Sequence, residues 1–543
     1  MKADAPAMLW LGPESPDEGV TAQVAGSKAD GIWRMARLGL RTPPAFVLPT
    51  TLCAAVNADP GEARRRVGEG LRAGLARLEA ATGRQLGDPR APLLVSVRSG
   101  AAKSMPGMLS TVLNVGLGPE AVHGLIRQSG DPRFAWDSYR RFMESYAEVV
   151  CGAPTGAFAG ALAEQVRAES AADETELDGE ALERLCARYG EIVSRGGDSI
   201  PSDPFDQLVE AALAVFRSWG SRKAAEYRRL NGLEGLAGTA VTVQAMVFGN
   251  SGANSGSGVA FSRNPATGEK QLYLDFLFNA QGEDVVSGRR TPVGAEAFAQ
   301  RLPDAFQALE DGAARLERAF ADVQDIEFTV EDGALFFLQT RSAKRAPQAA
   351  LRAAVDLVRE GVIEPATALE RLAGVDLAKA AVSRFADVQQ PLAHGVAAAP
   401  GVASGRAALD SASAKTLAAS GEPVILVRRE PTTDDIEGFA VADGVLTSVG
   451  GRTAHAAVVA RQMAKVCVVG CAALVIDEAA KSATLAGEPL RQGDWLSLDG
   501  DLGVVTLGHR AITRDAPREA LAEVERWKKF TSPSAGGVSL ETT

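Results

Sequence analysis

Cysteine and histidine are both scarce in this 543-residue sequence, which contains five cysteines and four histidines. The cysteines are scattered and odd in number, so they do not indicate the framework of a disulfide-rich domain. Only Cys467 and Cys471 lie close together in sequence, and no second pair of ligands follows them, which argues against a zinc site. This cysteine usage favours a reduced protein of the cytoplasm.

Basic stretches and long apolar runs are also lacking. The formal net charge is −11 and no stripe of lysine and arginine is present, so the sequence does not predict a nucleic-acid-binding protein. No apolar run approaches the roughly 18 residues that a membrane span needs, and the N-terminal segment has no apolar core of a signal peptide. We therefore expect a cytoplasmic protein that binds neither nucleic acid nor a membrane.

The length and the residue patterns indicate an α/β protein of roughly two to four domains. Residues 20–115 alternate helix-like segments with apolar strands, 116–235 repeat apolar residues at helical spacing, and 236–341 are rich in strand-forming residues. A charged, Ala/Leu-rich stretch over 345–380 predicts a solvated helical connector, and 390–509 predict a further compact α/β unit.

His455 lies in an unusual sequence context. The segment Gly444–Val449 predicts a buried strand, Gly450 and Gly451 predict a turn, and the small and aliphatic residues that follow His455 predict a helix. A histidine in the first turn of a helix lies near free backbone N–H groups and the positive end of the helix dipole, which suits a phosphorylated imidazole. Taken alone, a histidine is more often a core or helix-capping residue.

The segment from Asp325 to Arg341 alternates apolar and polar residues on both sides of Asp332-Gly333 and predicts a β-hairpin. A three-residue loop with Gly333 in the left-handed conformation places the apolar residues of both strands on one face, except Phe337, whereas a two-residue loop places them on opposite faces. The first register gathers four polar residues on one face, namely Asp325, Glu327, Gln339 and Arg341. Oxygen donors beside a guanidinium suit Mg²⁺ chelated by a polyphosphate. A surface hairpin with a salt bridge explains the same pattern equally well.

Many segments together resemble one family of enzymes. The stretch GGRTAHAAVVARQMAKVCVVGC, from Gly450 to Cys471, resembles the phosphohistidine signature of the pyruvate, phosphate dikinases and related phosphoenolpyruvate-utilising enzymes. Further segments resemble the same family in the same order: AGSKADGIWRMARLGLRTPPAFVL from Ala25, LLVSVRSGAAKSMPGM from Leu93, DPRFAWDSYRRF from Asp131, VFRSW from Val215, TAVTVQAMVFGN from Thr239, SGVAFSRNPATGEK from Ser257, NAQGEDVVSGRRTP from Asn279, DIEFTVEDGALFFLQTR from Asp325, APGVASG from Ala399 and EPVILVRREPTTDDIEGF from Glu422. The resemblance covers nearly the whole chain, from about Val24 to Gly508.

The resemblance implies a domain order. It predicts an ATP-grasp-like nucleotide-binding domain over 1–341, in which 116–235 form a mostly helical subdomain. A helical linker over 342–390 joins it to a swivelling phosphohistidine α/β domain over 391–509. Residues 510–543 are expected to form one short amphipathic helix and a disordered tail.

The resemblance also implies the residues of the nucleotide site. The predicted ATP-binding residues are Lys28, Arg98, Gln244, Glu283, Asp325, Glu327, Gln339 and Arg341, and Glu327 and Gln339 would also bind Mg²⁺. Within this set, Lys28, Arg98 and Arg341 would hold phosphates, and the strand that contains Gln244 would line the adenine pocket. The loop Gly249–Gly258 would cover the phosphates, although Gly/Ser-rich stretches are more often linkers.

In this family the histidine attacks the β-phosphoryl group of ATP, AMP leaves, and the γ-phosphate passes to water or inorganic phosphate. The resemblance therefore implies that His455 is the catalytic nucleophile. The chain ends about where the pyruvate-binding barrel of the family would begin, so we expect the acceptor to be pyruvate on a separate protein or a small molecule bound between the domains. The alternative is a non-catalytic regulatory phosphocarrier that acts through a partner. Under either hypothesis, the protein could form a homodimer.

The histidine motif departs from the usual family pattern, which is close to T-V-R-G-G-M-T-S-H. An arginine is absent at Val449, another is present at Arg452, and a hydroxyl group is absent at Ala454. The nucleophile His455 and the phosphate-binding Lys28 are both kept.

Overall fold

The structure is a computed structural model that describes residues 7–15, 19–58, 60–103, 105, 110–287, 290, 292–387, 390–431, 435–452, 454–477 and 482–531. The chain divides into two compact units. The first unit contains Met1–Ala253 and Val330–Thr340, and the second contains Asn254–Thr329 and Arg341–Thr543. These units are defined by compactness, whereas the predicted domain bounds come from sequence patterns and the family resemblance. The predicted bounds therefore stay a prediction.

Helices make up the larger share of the secondary structure. They are α1 (Ala22–Arg37), α2 (Thr51–Ala58), α3 (Pro60–Thr82), α4 (Pro119–Ser129), α5 (Pro132–Tyr146), α6 (Thr155–Ala168), α7 (Gly179–Arg195), α8 (Pro204–Ser218), α9 (Arg222–Leu230), α10 (Gly282–Ser287), α11 (Ala295–Arg301), α12 (Pro303–Phe320), α13 (Pro347–Arg359), α14 (Pro365–Leu372), α15 (Ser411–Ala419), α16 (Ile436–Val441), α17 (His455–Gln462) and α18 (Arg518–Thr531). None of the described helices combines the length and the apolar character that a bilayer crossing requires.

The strands are short and distributed over both units. They are β1 (Leu9–Trp10), β2 (Ala45–Leu48), β3 (Gln85–Leu86), β4 (Pro92–Leu93), β5 (Val95–Ala101), β6 (Thr111–Val115), β7 (Thr239–Ala245), β8 (Gly256–Phe261), β9 (Tyr273–Phe278), β10 (Gln324–Glu331), β11 (Ala334–Ser342), β12 (Val382–Phe385), β13 (Ala393–His394), β14 (Val396–Ala399), β15 (Val402–Ala408), β16 (Val424–Arg428), β17 (Gly444–Thr447), β18 (Val466–Val469), β19 (Leu474–Asp477), β20 (Ser482–Leu485), β21 (Glu488–Leu490), β22 (Trp495–Asp499), β23 (Val504–Leu507) and β24 (Ile512–Asp515). The predicted α/β fold class is confirmed.

A five-stranded sheet of order β1-β2-β7-β5-β6 forms the centre of the first unit, and α4 to α9 occupy 116–235. Local signals explain α5. The Asp131 side chain accepts a hydrogen bond from Phe134 N at 3.0 Å, Pro132 occupies the first turn, and Phe142 and Tyr146 continue a fully buried apolar face. These side chains pack into one core with the sheet.

The second unit contains an eight-stranded sheet of order β13-β23-β22-β15-β16-β17-β18-β14. Its central strands β15, β16, β17 and β18 pair in parallel, and their apolar residues are buried, as is typical of a parallel sheet covered on both faces. The lobe formed by 254–329 contributes β8, β9 and most of β10 to a four-stranded sheet of order β11-β10-β8-β9. The boundary between the two units passes through the β10–β11 hairpin.

The connector and the C-terminal segment differ from their predictions. The prediction of a solvated connector is wrong for α13 and α14, because these helices pack with α18 around a core of their own that includes Leu351, Leu357 and Trp527. Strand β12 pairs antiparallel with β24, so the segment after Arg510 contains a strand as well as the predicted helix. The helix packing and the strand pair both join residues far apart in sequence. The predicted disordered tail, 532–543, lies outside the described residues.

Candidate functional site

Lys28 lies where helix α1 approaches strand β5 within the first unit. Gly26 has a φ of 80°, and a Cβ atom added to it would lie 2.1 Å from the carbonyl oxygen of Gly100, so only glycine allows this approach. The Lys28 Cβ is 3.7 Å from the position that a Cβ would take on Gly100. Helix α1 therefore places half-buried Lys28 over the face of the sheet that contains Gly100.

Arg98, Gln244 and Gln339 are brought to the same region of the first unit. In the β5–β7 pairing Arg98 lies opposite Thr242 and Ser96 opposite Gln244, so Arg98 and Gln244 share a face of the sheet. The Arg98 Nη2 atom donates to Gln339 Oε1 at 3.1 Å, and buried Gln244 Nε2 donates to Pro43 O at 3.4 Å. Arg98 and Gly100 are two residues apart, so Lys28 joins this group.

The loop of the hairpin corrects one prediction. Strand β10 ends at Glu331 and β11 begins at Ala334, which leaves a two-residue loop in which Asp332 and Gly333 have φ values of 47° and 77°. Two left-handed residues are typical of a type I′ turn, the favoured turn for Asp-Gly. The predicted three-residue loop is therefore wrong, and Phe337, which that register left exposed, is buried at 3% exposure.

Two residues of the predicted polar set are in contact at the far end of the hairpin. Ala343 N donates to Val323 O at 2.8 Å in this region. Arg341 Nε donates to Asp325 Oδ2 at 2.8 Å within the second unit.

Asp325 is a buried carboxylate whose hydrogen bonding is incomplete. It is 8% exposed, and its Oδ1 atom has no hydrogen-bond partner among the described residues. Burial raises the pKa of Asp325, as does the charge of Glu327, while Arg341 opposes the increase. Half-buried Glu327 follows two residues later on β10, so the two carboxylates lie on one side of that strand. Two neighbouring carboxylates with a free oxygen favour a cation.

Two further predicted features, Glu283 and the loop Gly249–Gly258, lie in elements other than the hairpin. Glu283 is exposed in the first turn of α10, an element separate from the hairpin. The Gly/Ser-rich stretch predicted to be a loop over Gly249–Gly258 ends earlier, because Gly256 begins strand β8. A Cβ on Gly256 would lie 2.2 Å from Phe276 Cζ, and one on Gly258 would lie 2.5 Å from Phe328 Cζ. These two glycines serve strand packing, so that part of the prediction is wrong.

The strand, glycine turn and helix predicted around His455 are confirmed. Strand β17 ends at Thr447, Gly450 has a φ of 108°, and His455 is the first residue of α17. The structure describes the backbone of His455, and its side chain lies outside what is described. The backbone amides of the first turn of α17 point away from the helix, where they can bind an anion.

Sequence reasoning missed buried Arg461, which lies within α17, and half-buried Tyr273, which lies on β9. Arg461 is 4% exposed, donates through Nη1 to Ala398 O at 2.6 Å, and has its pKa lowered by burial. Tyr273, on β9, donates through its hydroxyl group to Ala397 O at 2.6 Å. Arg461 sits in an apolar helical pattern and Tyr273 in a strand pattern, so neither gave a local signal for a contact with a distant segment.

No group of three or more His, Cys, Asp or Glu side chains that could hold a metal ion occurs in the part of the chain that the structure describes. The predicted Mg²⁺ ligands are a smaller set, one carboxylate and one amide. Such a set fits Mg²⁺, which is usually bound through one or two carboxylates together with substrate phosphates and water.

Comparison with known families identifies the chain. A family model described as pyruvate phosphate dikinase, AMP/ATP-binding domain, matches residues 63–302 and 295–361, more than half of the 543 residues. The chain belongs to the pyruvate, phosphate dikinase family. A second model, described as PEP-utilising enzyme, mobile domain, matches residues 420–503, which contain α17. The dikinase resemblance of the motifs is thereby confirmed.

Individual dikinases are similar over most of this chain. Pyruvate, phosphate dikinase 2 of Zea mays is 43% identical over 514 residues, which are 93% of this chain and 58% of the relative. Pyruvate, phosphate dikinase of Clostridium symbiosum is 42% identical over 489 residues, 89% of this chain and 56% of the relative. The chloroplastic pyruvate, phosphate dikinase 1 of Arabidopsis thaliana is 40% identical over 507 residues, which are 92% of this chain and 52% of the relative. The chain thus spans little more than half the length of these dikinases.

Proposed function

We propose that this chain is an ATP-dependent phosphotransferase that phosphorylates His455 and then passes the phosphoryl group to an acceptor. The observation that carries the proposal is the position of His455 at the start of α17, directly after a glycine turn, inside the segment that matches the mobile domain of phosphoenolpyruvate-utilising enzymes. The AMP/ATP-binding domain of the same chain supplies the phosphoryl donor.

The polar group of the first unit supports a role in phosphate binding. Lys28 and Arg98 bring two positive charges to one face of the sheet, and Arg98 is oriented by its hydrogen bond to Gln339. A guanidinium binds phosphate oxygens through two parallel N–H groups, and a lysine binds them as a point charge. We assign the triphosphate to Lys28, Arg98 and Arg341, and the adenine to the strand that contains Gln244.

The carboxylates of the second unit support a role for Mg²⁺. Glu327 and Gln339 would bind the ion together with ATP phosphates, and Asp325 would accept from a metal-bound water through its free Oδ1 atom. When bound, the ion would neutralise charge on the β- and γ-phosphates. Arg341 is oriented by Asp325 and would bind a neighbouring phosphate oxygen. Glu283, which is exposed in the first turn of α10, would contact the metal or the ribose.

In the proposed reaction, an imidazole nitrogen of His455 attacks the β-phosphorus of ATP. The bond from that phosphorus to the oxygen shared with the α-phosphate breaks, and AMP leaves. The γ-phosphoryl group then passes to water or inorganic phosphate, which leaves a single phosphoryl group on His455. The amides and the dipole at the N-terminus of α17 stabilise the negative charge that this residue gains.

Phosphorylation with [β-³²P]ATP and Mg²⁺ tests the proposal. We expect label that is stable in base and lost in acid, as is typical of phosphohistidine, and we expect His455→Ala to abolish it. His394→Ala is the matched control, because His394 is an exposed histidine of the same predicted domain outside α17. Label that persists in His455→Ala would refute the assignment. Continuous AMP release with pyruvate, or with another small acceptor, separates an enzyme from a phosphocarrier that is labelled only once.

A further inference from the structure

Within the second unit, the turn before α17 packs against the lobe formed by 254–329. The Tyr273 hydroxyl group donates to Ala397 O at 2.6 Å, and the Arg452 guanidinium carbon lies 4.7 Å from the centre of the Tyr273 ring. We define the docking face as Tyr273, Asp275 and Pro292 on the lobe together with Gly451 and Arg452 on the turn.

Gly451 makes the closest approach in the docking face. It is buried, and a Cβ added to it would lie 2.2 Å from Pro292 Cγ, 2.6 Å from Pro292 Cδ and 2.9 Å from Asp275 Oδ2. Its φ lies outside the left-handed region, in contrast to Gly450 at 108°. The backbone at position 451 would therefore accept alanine, and it is the lack of space against the lobe that requires glycine.

The lobe cannot easily move away from an added methyl group. Pro292 is a rigid ring, and its neighbour Val293 exchanges two backbone hydrogen bonds with Phe276, at 3.0 and 2.8 Å. Asp275 is only 1% exposed in the middle of β9. A Cβ at position 451 would therefore displace the turn and not the lobe.

The docked turn holds α17 beside residues of the second unit that belong to the predicted ATP site. Arg461 belongs to α17, and its charge opposes the rise in the pKa of Asp325 that burial causes. Arg461 also stacks loosely over the Phe261 ring of the lobe, at 5.9 Å. The helix that begins at His455 is thus held beside the lobe that contributes Asp325 and Glu327.

We propose that Gly451 is a positioning residue: its missing side chain lets the turn dock on Pro292 and Asp275, and this docking places His455 for transfer from ATP. The inference rests on the proposed function. A displacement of about 1 Å can reduce a transfer rate by a factor on the order of 100, because near-attack geometry is lost. Gly451→Ala should therefore slow phosphorylation of His455 about 100-fold while the nucleotide affinity stays unchanged.

The experiment measures single-turnover labelling by [β-³²P]ATP and, separately, nucleotide affinity by calorimetry in the full-length protein. The matched control is Gly374→Ala, because Gly374 has no heavy atom within 4 Å of its added Cβ and no positive φ. The double variant Pro292→Ala/Gly451→Ala removes the ring that the new methyl group meets. We expect it to label at least tenfold faster than Gly451→Ala, whereas a requirement for glycine within the turn backbone itself would give no rescue.

Docking is also measured without chemistry, by hydrogen exchange of peptides that contain Val293 or Arg452, which should speed up in Gly451→Ala. Labelling of Gly451→Ala at the wild-type rate, unchanged exchange, or absence of rescue would each overturn the inference. If Gly451→Ala does not fold, Tyr273→Phe tests the same face: loss of one hydrogen bond should slow labelling about fivefold, and no change would overturn it. A wild-type protein that is not labelled refutes the proposed function, whereas the exchange result still decides on docking.

Discussion

Arg263 should be among the side chains on which the stability of the second unit depends most. It is fully buried two residues after the end of β8, and its guanidinium contacts Glu317 of α12 through Nε at 3.1 Å and Nη2 at 2.8 Å. The same Nη2 atom donates to Glu360, after α13, at 3.0 Å, and Nη1 lies 3.6 Å from Asp356. One cation therefore joins the lobe to the first helix of the connector.

Arg263→Met replaces the guanidinium by an apolar side chain and leaves the acids behind. Breaking a buried ion pair costs about 3–5 kcal/mol, mainly because the remaining charge is buried without a partner. Only Glu317, with a side chain 7% exposed, meets that description fully. Glu360 is 29% exposed and keeps Lys270, and Asp356 is 27% exposed, so both can be hydrated. We therefore expect the lower end, about 3 kcal/mol.

Urea unfolding followed by circular dichroism measures this loss, as the free energy of the transition that Arg263→Met shifts. Arg229→Met is the control, because Arg229 pairs with Glu226 on the exposed surface of α9, and it should leave the transition midpoints unchanged. The double variant Arg263→Met/Glu317→Leu should recover most of the loss, since an apolar pair of similar volume replaces a buried ion pair at little cost. If Arg263→Met matches the wild type, or if the double variant is less stable than the single one, the reasoning is refuted.

Two further predictions concern carboxylates. Glu327→Ala should abolish Mg²⁺-dependent labelling of His455 with an unchanged circular dichroism spectrum, because a predicted metal ligand is lost from a half-buried position, and labelling at the wild-type rate would contradict the assignment. In α5, burial works to raise the pKa of Asp137, but Arg141 and Arg140 outweigh it and hold that pKa below its usual value of about 3.9. This carboxylate therefore stabilises the fold above about pH 4, and the contribution is lost as the pH falls through the folded-state pKa. Asp137→Asn should cost about 3 kcal/mol at pH 7 and flatten the loss of stability in acid, and parallel pH profiles for the two proteins would count against the ion pairs.

The features that the sequence predicted correctly depend on neighbouring residues. The glycines at 450 and 451, the apolar run before them and the small residues after His455 determine a strand, a turn and a helix locally. The hairpin strands are local as well, and Asp325 meets Arg341 as expected. Its loop was wrong because the alternation argument assumed one solvated face. Phe337 is only 3% exposed, so the face that this argument took as solvated is covered.

The features that were missed depend on contacts between distant segments. Nothing near Trp527 in sequence indicates that it packs with Leu351, and nothing near Tyr273 indicates that its hydroxyl group reaches Ala397. The requirement for glycine at position 451 also depends on a distant segment. Its neighbours in sequence show a turn, but the need for glycine comes from Pro292, which no periodicity connects to it.

The β12–β24 pair determines how the segment between the two strands is tethered. Val382 lies opposite Asp515 and Phe385 opposite Ile512, so the chain runs into residues 386–511 and back out of them along one two-stranded ribbon. A domain attached at both ends to the same ribbon can rotate about that ribbon, but it cannot move far away from it. We expect motion of α17 to be confined to rotation about this ribbon, with the contact between Gly451 and Pro292 as one limit of that rotation. The phosphoryl group that we propose for His455 would move with it.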